Sequence, residues 1–345
     1  MVSDERLAAL PKVELHLHLE GSLRPRTVLA LAERNGVDIG CSTEEELTAR
    51  YRFDDFLHFI ALFRAGLSVL HTPDDYVAVA DALTDELAAQ QVRHAEITTT
   101  PFHPLRRLGF SVADYAGALD EAQRHAAEKD VSIVWIPDIS RGDELPDDML
   151  TTGLLDGPHC PVGAVALGIG GPEAEWPAEL FADAFARARA AGFPAVVHAG
   201  EAAGPESVRA ALDVLHASRI GHGVRAMEDP ALVARLAEEQ IPIEVSPTSN
   251  VLLIPHVAPS IEAHPIGAMV AAGLNVSVNT DDPGLFSSDL SRELRLVSEH
   301  HDFDEAALAA AQARAIDASY ASDALKARVH TEIDAWLEGG NSGPS

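Results

Sequence analysis

The stretch VELHLHLEGSL, Val13 to Leu23, decides how the rest of the chain is read. Extended, it puts His16 and His18 on one face and Leu15, Leu17 and Leu19 on the other, because successive strand side chains point to opposite sides. Two imidazoles on one face are half of a metal site. They are also compatible with ordinary polar residues on a half-buried strand, so the separation has to come from elsewhere in the sequence.

Working outward, seven more apolar, β-branched runs follow: RHAEITTT (93–100), VSIVWIPD (131–138), VGAVALGIG (162–170), PAVVHAG (194–200), RIGHG (219–223), IPIEVSP (241–247) and LNVSVNTDD (274–282). Alanine-rich segments with helical spacing separate them. In DYVAVADALTDELAAQQ (75–91), Tyr76, Val79, Ala80, Leu83 and Leu87 fall on one helical face. Strand-helix alternation brings each strand back parallel to the last. Eight such units predict an α/β chain folded as a (β/α)8 TIM barrel, a single barrel over 1–337 with extra helices inserted after the first strand.

Residues 20–90 hold that insertion. Its aromatic segment YRFDDFLHFIALF (51–63) carries Phe53, Phe56, Phe59 and Phe63, which read as an apolar lid over a pocket mouth. EGGNSGPS (338–345) reads as a disordered tail.

Composition narrows the function. Of 345 residues, 47% are hydrophobic and 23% charged, enough apolar matter for a large core. The formal net charge of -29 disfavours nucleic acid and anionic membranes as partners, since phosphate attracts basic surface. Cys41 and Cys160 form no CxxC pair, so any metal must rest on His and carboxylate. The N-terminus has no apolar stretch of leader length, and the expected location is cytoplasmic.

In a barrel of this type the active site is built at the C-terminal strand ends. Those ends carry His16 and His18, then His198 and Glu201, then His222, and finally Asp281 and Asp282. Scattered core histidines would have no reason to respect strand ends. Three histidines and a carboxylate match a hydrolytic zinc site, leaving the remaining groups for proton transfer and substrate binding.

Taken together, LPKVELHLHLEGS, VVHAGEAAGPESV, RIGHGV, EVSPTSN and VNTDDP resemble the adenosine deaminase family of the amidohydrolase superfamily, from Leu10 to about Tyr320. The HxE and PCxxC pattern of the other zinc deaminases is absent. The resemblance implies one zinc ion held by His16, His18, His198 and Asp281. It implies that His222 accepts the proton of the attacking water, that protonated Glu201 donates to purine N1, and that Asp282 meets N7 and orients the nucleophile. The implied reaction is hydrolytic deamination of a 6-aminopurine, with adenosine or 2'-deoxyadenosine as the first expectation. An ester- or amide-cleaving zinc barrel would leave Glu201 without a task, and a silent binding protein on the same barrel would not be expected to keep the full set.

The substrate positions depart from the family pattern. Glu20 stands where adenosine deaminases usually have an Asp that contacts ribose, and that longer carboxylate also occurs in bacterial adenine deaminases. LGIGGPE (167–173) resembles the family's LDLAGDE; Gly171 matches the glycine whose backbone N–H meets purine N3, whereas Gly168 and Pro172 replace two aspartates and are expected to open room. AEITTTPFHP (95–104) and GIGGPE resemble the branch acting on aminodeoxyfutalosine, a bulky adenine nucleoside. That compound, free adenine and other N6-substituted purines are therefore the alternative substrates.

Overall fold

The computed structural model describes residues 2–53, 56–142 and 148–340. Eight strands form one sheet in sequential order: β1 (Lys12–His18), β2 (Val92–Thr99), β3 (Ser132–Ser140), β4 (Leu167–Gly170), β5 (Ala195–Ala199), β6 (Ala217–His222), β7 (Pro242–Val245) and β8 (Asn275–Val278). Every neighbouring pair is parallel. A parallel bridge between Leu17 and Asp281 joins the last turn of chain to β1. There the His18 N–H donates to the Asp281 carbonyl at 2.9 Å, and the Asp281 N–H to the His16 carbonyl at 3.0 Å. The (β/α)8 expectation holds, and its closing seam runs through two of the expected metal ligands.

All seven residues of β1 are buried. That follows from the architecture, because helices cover the outside of a parallel barrel while side chains fill its inside. Val13, Leu15 and Leu17 join the large apolar core, and the helix Glu305–Ala318 packs on β1 and β8. The other face of the strands is polar. Arg219 Nε donates to Glu244 Oε1 at 2.6 Å, its Nη2 to Glu96, and its guanidinium lies 4.5 Å over the Tyr320 ring. Burial alone would raise the Glu96 carboxyl, but the Arg219 charge and His94 outweigh it and hold it at about 2.

The insertion between β1 and β2 contains, among the described residues, the helices Pro25–Asn35, Glu44–Thr48, Phe56–Gly66 and Pro73–Ala89. Asp75 ties it together. It closes a capping box with Thr72 and also accepts from Asn35 Nδ2 at 2.9 Å and Arg34 Nη1 at 3.0 Å. Several expected boundaries shift by one to five residues. β4 begins at Leu167, five residues later than expected, because a turn from Pro161 leaves Ala164 with only an isolated bridge to Trp135. The final helix, Asp323–Gly340, absorbs the first three residues of the expected tail, whose last five lie outside the described residues. No described helix is long and apolar enough to cross a membrane.

Candidate active site and metal centre

His16 and His18 end β1, His198 lies in β5, and Asp281 follows β8; ligand atoms from these four buried residues all lie within 4.8 Å of one another. The Asp281 Oδ1 atom is 3.4 Å from His16 Nε2 and 3.3 Å from His18 Nε2. His18 Nε2 and His198 Nε2 face each other at 3.2 Å. Two imidazole nitrogens with lone pairs aimed at one point repel unless a cation sits between them. His16 Nε2 is also buried without a hydrogen-bond partner. The donor set, three imidazoles and one carboxylate, all buried, fits a single zinc ion.

The positions of these ligands are set by their supports. His16 Nδ1 donates to Glu244 Oε2 at 2.9 Å, and Ser249 Oγ donates to Asp281 Oδ2 at 2.6 Å. His222 and Asp281 adopt left-handed backbone angles, φ +63 and +66, which cost roughly 1 kcal/mol or more each for a non-glycine residue and cluster at functional sites. Gly221 is needed beneath His16, since a Cβ there would lie 2.7 Å from His16 Cε1.

The chain turns sharply after β5 to present Glu201. Glu173 holds that turn, accepting from the backbone N–H of Gly200 at 2.6 Å, Glu201 at 3.1 Å and Ala203 at 2.9 Å. Burial pushes the Glu201 carboxyl far above its ordinary range, and the charges of Asp281 and Glu173 push the same way. His222 Nε2 lies 3.7 Å from Glu201 Oε2 and 3.9 Å from Asp281 Oδ2, and burial holds its imidazole neutral, near 3. Asp282 is buried with Oδ1 unpartnered, directly over Gly21.

These groups open onto a cavity of about 510 Å³. His18, His198, Glu201, Asp281 and Asp282 line its floor, and Gly171 its side. Gly171 has φ +96, and a Cβ would meet the Arg141 carbonyl oxygen at 2.6 Å, so only glycine fits. Phe56, Phe59 and Phe63 line the outer wall with Phe102, while Arg64, His103 and Arg107 supply polar edges. Phe53 packs edge-on to Phe59 and Phe286 and takes no place in the wall. Glu20 lies buried behind, its Oε1 accepting from Thr99 Oγ1 at 3.2 Å and the Thr100 N–H at 3.0 Å, with Oε2 unpartnered.

One expectation about this cavity is corrected. The room expected at Gly168 is filled by its register neighbour on β3: a Cβ on Gly168 would sit 3.0 Å from Asp138 Cβ and 3.1 Å from Ile136 Cγ2. Asp138 lines the cavity, carries an unpartnered Oδ1, and is pushed up to about 6 by burial. Sequence reasoning missed it, along with Glu173, Glu244, Asn250 and His264; its only trace was a carboxylate at the end of a predicted strand.

Comparison with known proteins gives the family. A family model described as adenosine deaminase matches residues 11–336. The chain is 41% identical over 338 residues to an aminodeoxyfutalosine deaminase of Streptomyces avermitilis, covering 96% of this chain and 93% of that one. It is 40% identical to an adenine deaminase of Rhodospirillum rubrum, covering 95% and 97%. A zinc-bound amidohydrolase structure from Burkholderia ambifaria superposes with TM-score 0.87 at 33% identity, covering 98% and 95%. With the family model matched over nearly the whole chain and a buried nest of three histidines and one aspartate that suits a single metal ion, this chain belongs to the adenosine deaminase family and is a zinc-dependent hydrolase of C–N bonds.

Proposed function

We propose that the protein deaminates C6 of an adenine carrying a bulky substituent, with aminodeoxyfutalosine the leading substrate. The observation that carries this reading is the shape of the site: the ligand nest, Glu201 and Asp282 share the floor of a cavity whose outer wall is phenylalanine edged with cations. About 510 Å³ is room for a drug-sized ligand, well beyond a bare purine. The likeness to the Streptomyces enzyme points the same way.

His16, His18, His198 and Asp281 would hold the zinc ion, which when bound would supply the acidity that brings water toward a pKa of roughly 7. The chain's own residues do the rest. Gly171 N–H and Asp282 seat the purine edge at N3 and N7. Hydroxide attack on C6 loads charge onto the ring, and Glu201, kept protonated by its surroundings, gives its proton to N1. The C6 amino group leaves as ammonia, taking the hydroxyl proton as the carbonyl forms. Glu201 regains the proton that ionisation of the next water releases. Phe56, Phe59 and Phe63 form the lid that excludes solvent.

Free adenine is the second reading, favoured by Glu20 and by the Rhodospirillum relative. Adenosine stands third. The deciding experiment measures kcat/KM for all three on zinc-loaded protein, following loss of adenine absorbance and release of ammonia. The highest value is expected for aminodeoxyfutalosine; preference for adenine would install the second reading, and no deamination of any 6-aminopurine would overturn the function.

A further inference from the structure

A backbone amide fixes the hydrogen-bond polarity behind the site. Ile266 N–H donates to His264 Nδ1 at 3.1 Å, so the neutral His264 ring carries its hydrogen on Nε2. Burial lowers His264 to about 3, and the ring is neutral. Its Nε2 lies 3.1 Å from Asn250 Oδ1, which settles the amide's orientation. Asn250 Nδ2 then faces His222 Nδ1 at 3.1 Å. An amide nitrogen only donates, so His222 Nδ1 accepts. A ring whose Nδ1 accepts must carry its hydrogen on Nε2, the atom that faces Glu201 and Asp281. All three side chains are buried, at 4% exposure or less.

We propose that His264 and Asn250 are positioning residues that hold His222 as its Nε2–H tautomer, so that His222 meets the attacking oxygen as a hydrogen-bond donor and not as its base. This rests on the deamination reading above and reverses the role that sequence resemblance gave His222. An N–H aimed at a hydroxide oxygen leaves another lone pair free for C6 and stabilises the charge on that oxygen while it is being delivered. A base at this position would need the opposite hydrogen order behind it, with Nδ1–H donating to an acceptor, as in an Asp-supported histidine.

The tautomer can be read directly. Zinc-loaded protein labelled with 15N-histidine, examined by multiple-bond 1H–15N correlation with His222 assigned by its loss in His222→Asn, is expected to show an unprotonated Nδ1 and a protonated Nε2. An Nδ1–H tautomer or a doubly protonated ring overturns the proposal. No substrate is needed, so this outcome stands apart from failure of the substrate reading.

Kinetics supply the second arm. Asn250→Asp replaces the donor with an acceptor and turns the His222 tautomer over; kcat is expected to fall ~100-fold with KM little changed. Unchanged or raised kcat in a folded, zinc-loaded Asn250→Asp protein would mark His222 as a base and sink the proposal. His264→Gln, whose amide can still donate to Asn250 Oδ1, is expected to keep most of the kcat that His264→Leu loses, and equal losses in both would count against the relay.

Discussion

His16 stands between two carboxylates: its Nδ1 lies 2.9 Å from Glu244 Oε2 and its Nε2 3.4 Å from Asp281 Oδ1. Glu244 is fully buried and takes its other bond from Arg219, so it cannot turn away. Its demand for a hydrogen on Nδ1 leaves the Nε2 lone pair for the metal. Glu244→Gln keeps the shape and loses the charge, and zinc affinity is expected to fall ~10–100-fold. Competition with a chromophoric chelator on the folded variant measures this; wild-type affinity would remove Glu244 from the metal site.

Gly21 is the second place where one atom decides geometry. A Cβ there would lie 1.6 Å from Asp282 Oδ1, a distance that only displacement of Asp282 could relieve. Because the three atoms nearest that Cβ all belong to the Asp282 side chain, Gly21→Ala is expected to retain zinc while kcat falls ~100-fold, the effect of moving a reacting group by about an ångström. Metal analysis beside turnover separates the two; full activity would show that Asp282 is not held at a required position.

Much of this was legible in sequence. The eight apolar runs and the polar residues at their C-terminal ends gave both the barrel and its ligands, because strand period and strand end are local properties. The supports were not legible. Glu244 sits in EVSPTSN, but its partner His16 lies 228 residues away, and the pairing depends on how barrel strands stagger. Gly168 could be seen to lack a side chain, whereas the Asp138 carboxyl that fills its place comes from a neighbouring strand whose register no single sequence displays. Phe53 was expected with Phe56, Phe59 and Phe63, which line the cavity wall, but it packs edge-on to Phe59 and Phe286 outside that wall.

Glu201→Gln is nearly isosteric and can still hydrogen-bond N1, but it has no proton to transfer. The variant is expected to keep its zinc and bind substrate, with turnover reduced ~10²–10⁴-fold. Metal content and kcat on the same preparation test this. Substantial turnover in zinc-replete Glu201→Gln would take the acid role from Glu201.

Deep in the barrel, Glu96 is held at about 2, against an ordinary value of 4.5. A carboxylate with its folded pKa depressed adds stability that is fully present above about 4.5 and is lost as pH falls toward 2, because the unfolded chain binds the proton first. The shift corresponds to roughly 3 kcal/mol. Glu96→Gln is therefore expected to be less stable at pH 7 and to lose less of its remaining stability on acidification than the wild type. Denaturant unfolding at several pH values reads both; parallel curves would show that the Glu96–Arg219 pair contributes no acid sensitivity.

Asp138 and Gly168 are register partners whose side chains compete for one volume at the cavity wall. A buried carboxylate oxygen without a donor is costly unless a substrate supplies one. Removing it in Asp138→Ala is expected to lower kcat/KM ~10–100-fold, the loss of one charged hydrogen bond to the substrate. Alanine at 138 keeps the Cβ that a side chain on β4 would meet at 3.0 Å, so the exchange is made as Asp138→Gly combined with Gly168→Asp, which returns a carboxyl to the same wall from the adjacent strand. The double variant is expected to recover much of the lost kcat/KM, a non-additivity open only to residues that share a site. If adding Gly168→Asp makes a folded Asp138→Gly protein no better, Asp138 acts through something other than the carboxylate it places in the cavity.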